Sequence, residues 1–206
     1  MAIERRGARA AAVLLALLAW TALLLQLRLT LDATLARGGT TGEALVLYTG
    51  FFTILTNLFV ALCASAQAWV PRSRLAGASL RGCATTAIVL VGLGYHLLLR
   101  EIWDPQGWQR VADNLLHYAV PIAALAHWLW FRPREPLPVR APLMWSLYPL
   151  AYFAYALVRG EWLALYPYPF IDVATLGYPR VLANATVLLL AYLATGALLR
   201  WQASRR

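Results

Sequence analysis

The sequence contains no lysine, two cysteines, three histidines and nine acidic residues among its 206 positions. Charged residues make up 13% and hydrophobic ones 61%, with a mean hydropathy of +0.60, so the chain lacks the polar surface of a soluble domain. It reads as an integral membrane protein. The two cysteines, Cys63 and Cys83, fall within or at the edge of apolar runs, which excludes a disulfide framework and leaves them as small reduced core residues. The three histidines are not at ligand spacing with one another or with the cysteines, so no metal and no other cofactor is expected. The formal charge of +9 rests on arginine alone, scattered over helix ends without interleaved aromatics, which excludes a nucleic-acid partner. No internal repeat is visible, which argues against a transporter built from inverted halves.

What is present is a set of long apolar runs. About 20 such residues cross a bilayer core. The sequence predicts an all-α, polytopic membrane protein, one six-helix transmembrane domain over 1–206 with helices at about 8–31, 44–70, 78–101, 112–131, 142–159 and 180–201. The first run is too long for the apolar core of a signal peptide, and no small-residue cleavage site follows it, so it counts as the first helix. Arg5, Arg6, Arg9, Arg72, Arg74, Arg81, Arg132, Arg134, Arg140, Arg200, Arg205 and Arg206 fall at the N-terminus, at the second and fourth loops and at the C-terminus. Arg37, Arg100, Arg110, Arg159 and Arg180 fall at the first, third and fifth loops. This bias predicts cytoplasmic termini. Arg28, inside the first helix, is expected to snorkel toward the interface.

Polar groups enter these runs in two places. Thr49, Thr53, Thr56 and Asn57 share one face of the second helix, and a polar stripe in hydrocarbon faces protein or a cavity. In the fourth helix Asp113 and His117 stand four residues apart, and Pro121 frees a backbone carbonyl nearby. The topology brings Thr53, Thr56, Asn57, His96, Asp113, His117 and Asp172 to the outer half of the membrane or its cap. The fifth loop, Gly160 to Pro179, is too apolar for a solvated connection and is expected to fold over the outer mouth of the bundle. His127 is expected in an interfacial belt at the inner end.

A threonine hydroxyl needs a base within reach to become a nucleophile, and that base needs a group to hold its tautomer. Asn57 has two readings: a donor to an oxyanion, or a link between helices. The threonine hydroxyls can equally bond back to the carbonyl one turn earlier. Composition and spacing therefore support an outward-facing polar cavity, either a hydrolase site or a non-catalytic site that binds a lipid or small molecule.

Three stretches carry a resemblance: Phe51-Phe-Thr53-Ile-Leu-Thr-Asn-Leu, Asp113-Asn-Leu-Leu-His117-Tyr-Ala-Val-Pro121, and Tyr168-Pro-Phe170 before a loop ending in Gly177. Together they resemble the androgen-induced protein family, which includes the androgen-dependent regulator of tissue factor pathway inhibitor and many bacterial six-helix membrane proteins. The resemblance implies an intramembrane threonine hydrolase of lipid esters, such as fatty-acid esters of hydroxy fatty acids. Thr53 would be the nucleophile and His117 the base; the shared depth given by the topology makes Thr56, Asn57, His96, Asp113 and Asp172 the candidate supporting or substrate-binding residues. The resemblance also implies a bacterial inner-membrane protein whose partners are its lipid ester and the surrounding lipids. Two features differ from the family's animal members and bear on substrate choice: Thr56 stands where they carry an acidic residue, and the spacing from His117 to Pro121 differs by one.

Overall fold

A computed structural model describes residues 2–133 and 135–205, and the side chains from Arg6 onward. Arg134, Arg206 and the side chain of Arg5, all counted in the arginine bias, lie outside the described residues. Within them the chain is helical throughout, with no strand: α1 (Ala2–Ala36), α2 (Thr41–Thr49), α3 (Phe52–Trp69), α4 (Ala78–Gly94), α5 (Gly107–Asn114), α6 (Val120–Trp130), α7 (Ala141–Trp145), α8 (Leu147–Leu163) and α9 (Val173–Ser204). Two π-helical turns extend this pattern. Tyr95–Leu99 prolongs α4, and Leu115–Ala119 joins α5 to α6 in one rod.

Among the described residues five segments are long and apolar enough to cross a membrane: Arg6–Ala36, Phe52–Trp69, Ala78–Leu99, Ala141–Leu163 and Val173–Ser204. The α5–α6 rod, expected as a span over 112–131, is not among them, because Asp113, Asn114, His117 and His127 fall within it. The expected second helix is broken. α2 ends at Gly50, Phe51 is extended at φ −91° and ψ 132°, and α3 starts at Phe52. Thr49 is thereby taken off the face that carries Thr53, and its hydroxyl bonds back to Leu45 O. The glycine-rich link at 38–42 is shaped into a cap, where Thr40 and Glu43 form a reciprocal capping box for α2.

Helix association in lipid gains little from the hydrophobic effect and relies on close packing. Ala12, Ala16, Ala19 and Ala22 of α1 and Ala61, Ala64 and Ala68 of α3 are all buried, and these small side chains let the two helices approach. A second core gathers Trp128, Trp145 and Tyr192 from α6, α7 and α9. Leu14, Leu17, Leu24, Val187, Leu190 and Leu198 remain exposed, as a lipid-facing surface requires. Side-chain bonds fix the ends of the bundle. At one end Arg9 donates to Ala68 O and Arg132 to Arg205 O, and Gly7 lies against the Phe131 ring, so both ends of the described chain lie together. At the other end the segment 164–172 folds back onto α8 and α9 as a cap, with Ile171 buried against Ala156 and Val181. Gly177, at φ 70°, bends the chain out of this cap before Pro179.

Two expectations are revised by this packing. Arg159 does not sit in a loop but is buried in α8. His127 is buried and not part of an interfacial belt. Arg28 forms no buried ion pair: it is exposed and reaches Asp32, one turn further along α1, at 2.7 Å.

Glycine packing gives a stability test. A Cβ on Gly82 would come within 2.6 Å of the Trp145 ring, whereas one on Gly94 meets nothing within 4 Å. Gly82→Ala is expected to lose about 1–3 kcal/mol by overpacking. Gly94→Ala is expected to hold or gain up to about 1 kcal/mol from helix propensity. Thermal unfolding of the two variants in detergent checks the pair.

Candidate functional site

The break between α2 and α3 leaves carbonyls and amides without helical partners in an apolar setting, where each must be satisfied by protein. One face of α8 supplies the donors to the end of α2. Tyr152 donates to Gly50 O at 2.9 Å, Tyr155 to Thr49 O at 3.5 Å and Arg159 to Val46 O at 3.3 Å. Arg159 also donates to Leu165 O and so ties the cap to the break. On the α3 side, the Ile54 and Leu55 amides use Phe51 O, and the Thr53 amide donates to the Tyr168 hydroxyl at 3.2 Å.

The break also determines what the Thr53 hydroxyl can do. Thr30, Thr49, Thr86, Thr186 and Thr195 all bond back to the carbonyl four residues earlier. Thr53 is the second residue of α3, so the carbonyl four residues back lies outside its helix. Its Oγ1 instead lies 3.3 Å from His117 Nε2 and 3.4 Å from the Tyr168 hydroxyl.

His117 sits in the π turn between α5 and α6. Val120 N–H bonds Leu115 O, five residues back, and Pro121 has no N–H with which to continue that pattern to Leu116 O. Asn57 fills this vacancy: its Nδ2 donates to Leu116 O at 3.3 Å and to Thr53 O at 2.9 Å, linking the backbones that carry His117 and Thr53. Gly92 lets α4 approach at this level, since a Cβ there would stand 3.2 Å from His117 O.

The other ring nitrogen decides the tautomer. His117 Nδ1 is 3.0 Å from Asp113 O and 3.1 Å from Asp113 Oδ1. Both are acceptors, so Nδ1 carries the proton and Nε2 faces Thr53 with a free lone pair. Asp113 is buried and accepts a 2.5 Å bond from the Tyr95 hydroxyl. The Tyr95 ring stacks on His117 with centroids 4.0 Å apart and planes 16° from parallel. The chain Tyr95–Asp113–His117–Thr53 thus fixes the position and the tautomer of the imidazole together.

Thr53 and His117 open into a cleft enclosing about 870 Å³ of atom-free space, part of it open to the surroundings. α4 and α9 meet at the arginine-rich end through Cys83 and Tyr192, and toward the cap both line the cleft, with Leu90 and Leu98 from one and Leu188 and Leu189 from the other. Apart from Thr53, Tyr95, His117, Tyr152 and Tyr168, every lining residue is apolar or glycine.

Compared with family models, curated proteins and solved structures, the chain matches none.

Of the residues singled out in the sequence, Thr53, His117 and Asp113 come together, with Asn57 bridging behind them. Thr56 is fully buried and its hydroxyl pairs with that of Tyr148 at 3.1 Å, away from the cleft. His96 points outward to Tyr118 and Arg100. Asp172 caps α9 by accepting from the amides of Ala174 and Thr175. Two contributors carried no assigned role in the sequence, Tyr95 and Tyr168. A spacing signal did exist for the α8 stripe, because Tyr148, Tyr152, Tyr155 and Arg159 follow a helical period and end in donors.

Removing the bridge gives a further test. Asn57→Leu strands Leu116 O in the interior and is expected to lose about 1–3 kcal/mol. The readout is a lower unfolding temperature in detergent.

Proposed function

We propose that this protein is an intramembrane hydrolase of lipid esters in which Thr53 is the nucleophile and His117 the general base. The observation that carries this reading is the 3.3 Å approach of Thr53 Oγ1 to an Nε2 whose tautomer Asp113 fixes, at the edge of an apolar cleft. The cleft suits acyl chains, and its polar end suits an ester. The resemblance to the androgen-induced protein family supports the same reading. So does the helical break, which leaves the Thr53 hydroxyl free of its backbone.

In the first half-reaction Thr53 Oγ adds to the ester carbonyl carbon while its proton passes to His117 Nε2. The carbonyl π pair moves onto oxygen, then re-forms the double bond and expels the alcohol oxygen, which takes the proton from His117. Water repeats the sequence on the acyl-threonine: His117 accepts its proton, the acid leaves, and Thr53 Oγ regains a proton. Asp113 stabilises the imidazolium that forms at each addition.

The membrane arrangement that accompanies this chemistry is six spans with both termini cytoplasmic. Gln109, Asp113 and His117 of the α5–α6 rod are turned toward α1, α4 and α3, and the exposed Asn114 lies about two turns from the start of the rod, so the rod can cross lipid despite them. The arginine-rich end, where both described ends of the chain meet, would be the cytoplasmic one. The reactive pair then lies in the outer half of the membrane. On the resemblance, we read it as the inner membrane of a bacterium.

Topology is checked by labelling introduced cysteines in intact cells with an impermeant thiol reagent, with Cys63 and Cys83 buried. Asp104→Cys is expected to react from outside and Arg72→Cys only after lysis. Reaction of both from the same side would overturn the six-span arrangement.

Chemistry is checked with purified protein in detergent and a p-nitrophenyl acyl ester or a fatty-acid ester of a hydroxy fatty acid. Thr53→Ala and His117→Ala are expected to abolish turnover while remaining folded, and a fluorophosphonate is expected to label Thr53 in the native protein. Asp113→Asn is expected to lower kcat by less than about 10⁴-fold. The loss is smaller than for a triad held by one carboxylate alone, since Asp113 O still accepts from Nδ1. Full turnover by folded Thr53→Ala would remove Thr53 from the mechanism.

A further inference from the structure

Addition of Thr53 to an ester places negative charge on the carbonyl oxygen, and in a low-dielectric cleft that charge needs a donor aimed at it. Asn57, one sequence-level candidate, already spends Nδ2 on Thr53 O and Leu116 O. Among the described residues no arginine lines the cleft. Of its polar lining residues, the Tyr95 hydroxyl donates to Asp113 and the Tyr152 hydroxyl to Gly50 O. His117 is the base. One donor is left.

That donor is the Tyr168 hydroxyl, which accepts the Thr53 amide at 3.2 Å and lies 3.4 Å from Thr53 Oγ1. Resting on the hydrolase reading above, we propose that Tyr168 is a catalytic hydrogen-bond donor that stabilises the oxyanion formed at Thr53. When the Thr53 oxygen binds the acyl carbon, the new oxyanion stands one bond beyond that carbon, within the arc swept by the phenol O–H. Tyr168 keeps its proton throughout and only redirects it. No bond to Tyr168 forms or breaks.

Three features suit Tyr168 to this task. The Thr53 amide at the first turn of α3 donates to the phenol oxygen, and such a chained bond makes the O–H a stronger donor, helped by the positive end of the helix dipole. Burial pushes the phenol pKa above its ordinary value, so the proton is retained. The ring is also held in place. It stacks on Phe170 at 5.1 Å and 6°, and meets Phe51 edge-on at 5.9 Å. The break in the second span thus gives the site both its free hydroxyl and, through Tyr168, its donor.

The test uses the full chain in detergent, with p-nitrophenyl octanoate as substrate and two ligands of equal chain length, octylboronic acid and 1-octanol. The boronate forms a tetrahedral anion on a nucleophilic hydroxyl, whereas the alcohol reports chain binding alone. Tyr168→Phe is expected to lower kcat about 100-fold, the scale of removing one oxyanion donor. KM and octanol affinity should change less than about two-fold, and boronate affinity should fall with kcat. Wild-type kcat in Tyr168→Phe, with Thr53→Ala inactive, overturns the role of Tyr168 and leaves the hydrolase reading standing. Losses in KM and octanol affinity with kcat intact overturn it too, since they mark a residue that only shapes the cap. Failure of the native protein both to turn over ester and to bind boronate more tightly than octanol overturns the hydrolase reading as well. A second variant guards against misfolding of the first: 2,3-difluorotyrosine at position 168 keeps ring and hydroxyl but lowers the phenol pKa. The alkaline loss of activity is then expected to move to lower pH, and an unmoved alkaline limb overturns the proposal.

Discussion

A helix that breaks inside an apolar segment must find protein partners for every amide and carbonyl it releases, because lipid offers none. The break at Gly50–Phe51 is where the rest of this structure converges. α8 turns Tyr152, Tyr155 and Arg159 toward the carbonyls of α2, and the cap turns Tyr168 toward the amide of Thr53. Arg159 is buried with no carboxylate partner among the described residues, and it is tolerable because it lies against carbonyls at the negative end of a helix dipole. One guanidinium therefore holds both the end of α2 and the cap.

The same break changes the chemistry of one threonine. Thr86, Thr186 and Thr195 give their hydroxyls to carbonyls of their own helices. At the start of α3 that outlet is missing, so Thr53 faces His117. The two π turns act in a similar way on the opposite wall. Widening the helix at Tyr95–Leu99 and at Leu115–Ala119 brings Tyr95 flat against His117, and Pro121 ensures that the carbonyl left over is one that Asn57 can reach. Irregular backbone is thus concentrated where the polar side chains meet.

The surroundings of the pair restrict what can use it. Apolar side chains from α4, α8 and α9 line the cleft, and its few polar side chains are tied by hydrogen bonds to the Thr53–His117 pair, to Asp113 or to the break at Gly50. A ligand with long apolar chains and a single uncharged polar function matches that distribution. A ligand with a charged head group in the cleft would leave that charge unpaired, at a cost of several kcal/mol in such an environment.

Much of this was legible in the sequence. Length and hydropathy give an all-helical membrane protein, since no other reading accommodates apolar runs of this length. Asp113 and His117 share a face by helical spacing alone, and Pro121 announces a freed carbonyl one turn away. The apolar fifth loop predicts a cap. Other features had no local signature. Gly50 is one small residue within an apolar run, and nothing nearby states that α8 would satisfy a break there. Thr56 and Asn57 share a polar stripe with Thr53, yet they turn to Tyr148 and to Leu116 because helix packing, not spacing, selects a partner. Asp172 had the composition of a site residue and became a helix cap. The sequence by itself determined which segments are helical and which side chains could carry chemistry, because periodicity and residue type are local properties. Only the tertiary structure decided which hydroxyl is free and which tyrosines support it. That outcome depends on how distant segments share the backbone groups that lipid cannot satisfy.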